Sequence, residues 1–249
     1  MSVTSSLRAD LYNAPAIPTN KFLPDGSVGL GQPTVVTLMS GKSEAVLVDT
    51  LFTSEQGVSL GDWIQGTLDG KKLSTIYITH GHGDHWFNLH YLIKRFPGVE
   101  VVSTQDSIDH MSSQLTPEYR ALWHDLFPEQ IDEESFEVVA KPLKDNKFTL
   151  EGHTFEAVNA GHSDMDATTF LYVPSLNLTV AGDIATTMYT CRWPSLHLRK
   201  IEMLGLIVST SSNPTTPPSS LVLITALEAL TEPSTSRRRG STSEHLADL

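Results

Sequence analysis

The sequence predicts an α/β layered domain, and three observations carry that reading. At 249 residues the chain is long enough for one medium domain with a real core. Short β-branched and apolar runs alternate with segments of helical period, the pattern of strands layered with helices. Several apolar runs stop abruptly in Gly, His and Asp, which puts polar groups at strand ends, where functional loops project.

Taken in order, residues 34–39 and 44–49 are β-branched runs joined across Ser40-Gly41-Lys42-Ser43, a predicted hairpin. Residues 54–68 form a predicted helix with Ser54 as its cap. Residues 73–79 are an apolar strand that runs straight into His80-Gly81-His82-Gly83-Asp84-His85. An amphipathic helix over 87–96 stops at Pro97-Gly98, a strand follows at 99–103, and helix over 107–127 breaks at Pro117. Strands at 147–150, 154–159, 168–173 and 178–181 complete a strand-rich second part. The chain therefore divides into an N-terminal extension over 1–30, a domain over 31–184 and an atypical tail over 185–249.

Composition bounds the function. Acidic residues outnumber basic ones 29 to 17, for a net charge of −12. That balance disfavours nucleic acid and anionic membranes as partners, since both call for a basic face, and leaves a small-molecule substrate. A single cysteine excludes a disulfide framework and a thiolate-rich metal site. No secretory apolar core opens the sequence and no run approaches eighteen apolar residues, so the expected location is cytoplasmic.

The chemistry lies in the histidine cluster. His80, His82, Asp84 and His85 put four potential ligands within six residues, and imidazole with carboxylate suits zinc, or less specifically iron or manganese. Gly81 and Gly83 are expected to let the backbone turn so that the ligands converge. Two further strands end in donors, the first in Gly161-His162-Ser163-Asp164 and the second in Gly182-Asp183. Together the three loops supply enough donors for two ions: His80, His82 and His162 for one, Asp84 and His85 for the other, with Asp183 between them. Two such ions activate a bridging water and polarise a carbonyl or phosphoryl oxygen. Trp86 fits either a cleft wall or the core, Asp164 and Asp166 fit either a supporting or a solvated role, and His90, His110, His124 and His153 are scattered without a motif.

The pattern closely resembles the metallo-β-lactamase fold superfamily. Its H-x-H-x-D-H hallmark stands here as HGHGDH, its later motifs as GHSDMD and AGDI, and its first motif as AVLVDT, whose Asp49 the resemblance makes a support for the ligand loop. The resemblance covers residues 32–184 and implies an αββα sandwich with the metals at one edge, its second half incomplete. It implies a hydrolase in which a zinc-bound hydroxide attacks a lactam, lactone, ester or thioester carbonyl, with Asp84 orienting the nucleophile or taking its proton. It also includes an iron-dependent oxidoreductase branch, one member of which carries Glu in place of the second His of the cluster; His82 argues against that member.

The resemblance calls for one more His after a final strand. Beyond Asp183 only His197 and His245 remain, and neither follows a strand. A non-catalytic, metal-deficient remnant is therefore the competing reading. The tail itself changes character: acidic residues outnumber basic ones 24 to 11 through residue 184, but number 5 against 6 beyond it, and residues 203–227 carry no charge. By composition it is a disordered Ser/Thr/Pro segment. A different origin explains it better. Forming each codon from the third base of one residue and the first two of the next leaves two bases nearly fixed and the first open. From Thr186 this gives a peptide containing a charged amphipathic helix, then the strand TVVAG, then a His in a Gly/Pro loop. The tail thus reads as frame-shifted after about residue 184.

Overall fold

The computed structural model describes residues 6–162 and 165–184; the tail over 185–249, with His197 and His245, and Asp164 lie outside the described residues. The strands are β1 (Arg8–Ala14), β2 (Pro18–Phe22), β3 (Val28–Leu30), β4 (Thr34–Ser40), β5 (Glu44–Val48), β6 (Lys72–Tyr77), β7 (Glu100–Ser103), β8 (Lys141–Pro142), β9 (Lys147–Leu150), β10 (His153–Asn159), β11 (Thr169–Val173) and β12 (Leu178–Val180). The α-helices are α1 (Ser54–Leu68), α2 (Gly83–Trp86), α3 (Leu89–Arg95), α4 (Gln105–Ser113) and α5 (Pro117–Leu126).

Two sheets stack beneath a layer of helices. The first runs β1-β4-β5-β6-β7-β8 and the second β12-β11-β10-β9. The period-2 alternation of strands sorts side chains between two cores. In β5, Ala45 and Leu47 face the helices, packing with Leu60, Ile64 and Leu68 of α1. Val46 and Val48 face the other way, onto Phe155, Leu171 and Val180 of the second sheet. In β6, Ile76 and Tyr77 divide in the same manner.

Four details bear on the expected elements. Within the N-terminal extension over 1–30, β1 joins the first sheet, pairing antiparallel with β4 from Arg8↔Ser40 to Ala14↔Thr34. Helix α1 is capped by Thr53 rather than Ser54: Thr53 keeps extended backbone and accepts from Gln56 N, while the Gln56 side chain returns to the Thr53 amide. The helix expected over 87–96 is the shorter α3, Leu89–Arg95, and a separate four-residue α2 ends before it at Trp86. The helical stretch over 107–127 breaks as expected, with Pro117 opening α5 behind the Thr116 cap, the position where a missing N–H costs nothing.

Strand direction fixes where function can sit. β5, β6 and β7 run parallel, so their C-terminal ends share one edge. β10 and β12 each pair antiparallel with β11 and so run alike, and Thr169 at the start of β11 bonds Thr79 O just beyond β6. The loops after β5, β6, β10 and β12 therefore meet at one edge of the stacked sheets.

The opposite edge is held by Glu151. Its carboxylate accepts the backbone N–H groups of Lys42 (2.7 Å), Ser43 (2.6 Å) and Glu44 (2.9 Å) and the Ser43 hydroxyl (2.8 Å). One side chain from the second sheet thus satisfies the whole β4–β5 turn of the first. Replacing Glu151 by Ala is expected to cost about 1–2 kcal/mol, because bonds to a charged acceptor are the stronger kind, and to lower the melting temperature by several degrees. A melting curve unchanged from wild type would show the clasp to be dispensable.

Candidate metal centre

Asp49, the residue after β5, adopts a left-handed φ of 63°, a conformation Asp enters more readily than most residues. The turn brings its buried carboxylate beneath the end of β6. Oδ1 accepts the Thr79 N–H at 2.8 Å, and Oδ2 accepts both the Thr79 hydroxyl and the His85 Nδ1–H at 2.9 Å. With its proton given to Asp49, the Thr79 hydroxyl is left as acceptor for His80 Nδ1, 3.0 Å away. One carboxylate therefore assigns the tautomer of two histidines, and both Nε2 lone pairs are left to point inward. This is the supporting role that the resemblance implies for Asp49.

His80 and His85 are buried with ring centroids 4.0 Å apart. Asp183, in the loop after β12, places Oδ1 3.5 Å from His85 Nε2 and Oδ2 4.0 Å from His80 Nε2. One donor atom from each of the three lies within 4.8 Å of the others. Nitrogen ligands on one zinc ion stand about 3.3 Å apart at tetrahedral geometry, so this donor set fits a divalent cation. Its electrostatics fit too. Burial and the neighbouring His85 hold His80 well below the usual imidazole range. Burial opposes charge on His85, but the carboxylates of Asp183, Asp84 and Asp49 outweigh it and hold that ring well above. Burial likewise works against the Asp183 charge, and His85 overcomes it, keeping this carboxyl well below its ordinary range. The same carboxylates that favour charge on His85 would favour a divalent cation beside it.

The remaining predicted ligands are placed differently. Asp84 Oδ2 is 3.7 Å from His85 Nε2, and burial, reinforced by Asp183, raises its pKa. His82 caps α2 with extended backbone; its ring packs edge-on at 5.0 Å from His80 and 5.8 Å from His110 and is not one of the three clustered donors. His162 is turned out to solvent and bonds Asp166. The cause is local: Asn159 Oδ1 accepts the Gly161 N–H at 2.7 Å and Gly161 takes φ of 70°, which reverses the chain just before the histidine.

The glycines act through close approach rather than through turning. Neither Gly81 nor Gly83 has positive φ. A Cβ on Gly81 would stand 2.4 Å from His110 Nδ1 and 2.8 Å from Met111 N, and one on Gly83 would meet the Phe87 ring at 2.4 Å. Trp86 is a core residue whose indole N–H donates to Gly81 O at 3.0 Å. Sequence reasoning missed Thr79 and His110; the available signal for His110 was the helical spacing Ser107, His110, Met111, Gln114, one face of α4 turned to the ligand loop.

Over residues 29–232 the sequence matches the family described as the metallo-beta-lactamase superfamily. The chain belongs to that superfamily. Among solved structures this superfamily member is similar to a metallo-β-lactamase from Pontibacter korlensis, at 19% identity over 73% of this chain and 69% of that one, with a TM-score of 0.45. It is also similar to the FIM-1 metallo-β-lactamase from Pseudomonas aeruginosa in its mono-zinc form, at 14% identity over 72% and 66% with a TM-score of 0.45. A β-lactamase domain protein from Burkholderia ambifaria is similar at 16% identity over 69% and 52%, with a TM-score of 0.49. No curated protein matches the sequence. No helix of this superfamily member, among the described residues, is long and apolar enough to cross a membrane.

If Asp49 orders the centre as described, Asp49→Asn, which keeps the side chain's size and its tolerance of positive φ, is expected to weaken metal binding roughly 10–100-fold. Competition against a chromophoric chelator measures it, and an unchanged affinity would reduce Asp49 to a strand-end residue.

Proposed function

We propose that this chain is a zinc-dependent hydrolase of a small carbonyl-type substrate: a lactam, lactone, ester or thioester. The supporting observation is the convergence of His80, His85 and Asp183 under the single support of Asp49. These three residues would hold the ion, with His82 and Asp84 beside it. Zinc bound there supplies a water acidified toward neutrality and a Lewis acid for the substrate oxygen. The protein's own part is orientation and proton handling. Asp49 and Thr79 lock the imidazoles. Asp84, with its raised pKa and a half-buried position, accepts the proton of the attacking water. Every carbonyl class named presents the same electrophile, so a panel of β-lactam, lactone and thioester substrates is the test of specificity.

Replacing His85 by Ala is expected to remove metal retention and hydrolysis together, because that ring is a ligand and the partner of Asp49. Metal content by elemental analysis and turnover on the panel are the readouts; a variant that keeps both would refute the site. The same elemental analysis distinguishes the alternatives. Iron in protein made without added metal would support the oxidoreductase reading. Chain without metal would support the remnant, which the outward placement of His162 favours over a complete two-metal centre.

The frame-shifted origin of the tail belongs to the same proposal. Restoring the frame after Ile184 would return a helix, a strand and a His in a Gly/Pro loop. The restored protein is expected to bind one more zinc ion per chain and to melt several degrees higher, since a ligand that binds only the native state stabilises it. Equal zinc stoichiometry in the two proteins would overturn this origin.

A further inference from the structure

Helix α4 lies behind the ligand loop, and its contacts fall on one face. Ser107 Oγ bonds Thr79 O at 3.4 Å and Ala167 O at 3.0 Å. One turn on, His110 and the Met111 amide fill the space that a Gly81 side chain would need, and Met111 is fully buried. A further turn on, the Gln114 side-chain amide reaches the His110 ring, 2.8 Å from Nε2 and 3.2 Å from Nδ1. The spacing 107, 110, 111, 114 is the i, i+3, i+4, i+7 of one helical stripe.

His110 stands where this stripe meets His82. The two rings pack edge-to-face with centroids 5.8 Å apart and planes at 71°, and the His82 and His80 rings lie 5.0 Å apart at 76°. His82 thus packs against both buried His80 and an imidazole that is itself anchored by Gln114.

We infer that His110 is a positioning residue for His82: braced by Gln114, its ring fixes the plane of the His82 imidazole beside the three clustered donors. This rests on the metal-dependent reading above. The ring matters through packing and orientation, so Phe at this position should preserve the effect and Ala should lose it.

The test uses the full chain and two readouts besides activity: zinc affinity by chelator competition, and the visible absorption of the cobalt(II)-substituted protein. His110→Ala is expected to bind zinc about 10-fold more weakly and to change the cobalt spectrum, and His110→Phe to return both most of the way. A merely structural role would lower the melting temperature of the metal-free protein and leave the cobalt spectrum alone. Should the Ala variant not fold, His110→Gln keeps a polar side chain without the ring and is expected to behave as Ala does. Wild-type affinity and spectrum in a folded Ala or Gln variant would overturn the role of His110. Wild-type protein that holds neither zinc nor cobalt would instead overturn the metal reading, and this role with it.

Discussion

The Asp49 carboxylate is the constraint on which the centre depends. It is buried, it follows the central strand β5, and its oxygens accept three hydrogen bonds from two residues of the neighbouring loop. Bonds to a buried carboxylate are strong because nothing competes with them, and removing one partner leaves an uncompensated group behind. Through Thr79 and His85 this one side chain ties β5 to the end of β6, orients two imidazoles and places negative charge beneath the cluster of donors. The positive φ at Asp49 follows from the same requirement, because an extended residue there would carry its carboxylate past Thr79.

Around that carboxylate the protein applies close packing rather than more hydrogen bonds. The Trp86 indole holds the Gly81 carbonyl from the core side, and α4 presses on Gly81 from the other. The ligand loop is therefore clamped between two apolar-backed elements, with hydrogen bonds reserved for direction. This division suits a metal site, where a ring displaced by a fraction of an ångström loses its bond to the ion.

Much of this was legible in the sequence. The HGHGDH run after an apolar strand and the Gly-Asp after a later one located His80, His85 and Asp183, because strand ends and donor chemistry are both written locally. The supporting role of Asp49 came by resemblance. What stayed hidden depends on approach in space. Gly81 and Gly83 suggested turning, yet their backbones are ordinary, and the need for glycine comes from His110, Met111 and Phe87. His162 has the right motif, but a side-chain bond two residues earlier, from Asn159, decides which way it points. His110 carries no local motif; only its place on the α4 face gives it a role. The pairing of β1 with β4 likewise required knowing which edge of the sheet was open.

The three clustered donors come from both sheets: His80 and His85 from the end of β6, Asp183 from the end of β12, about a hundred positions later in the chain. A chain that has formed only the first sheet owns two imidazoles and the carboxylate that orients them, but not the third donor. That donor arrives only when the second sheet has docked across the Val46, Val48 and Phe155 core. The candidate metal site is thus complete only where the two sheets meet.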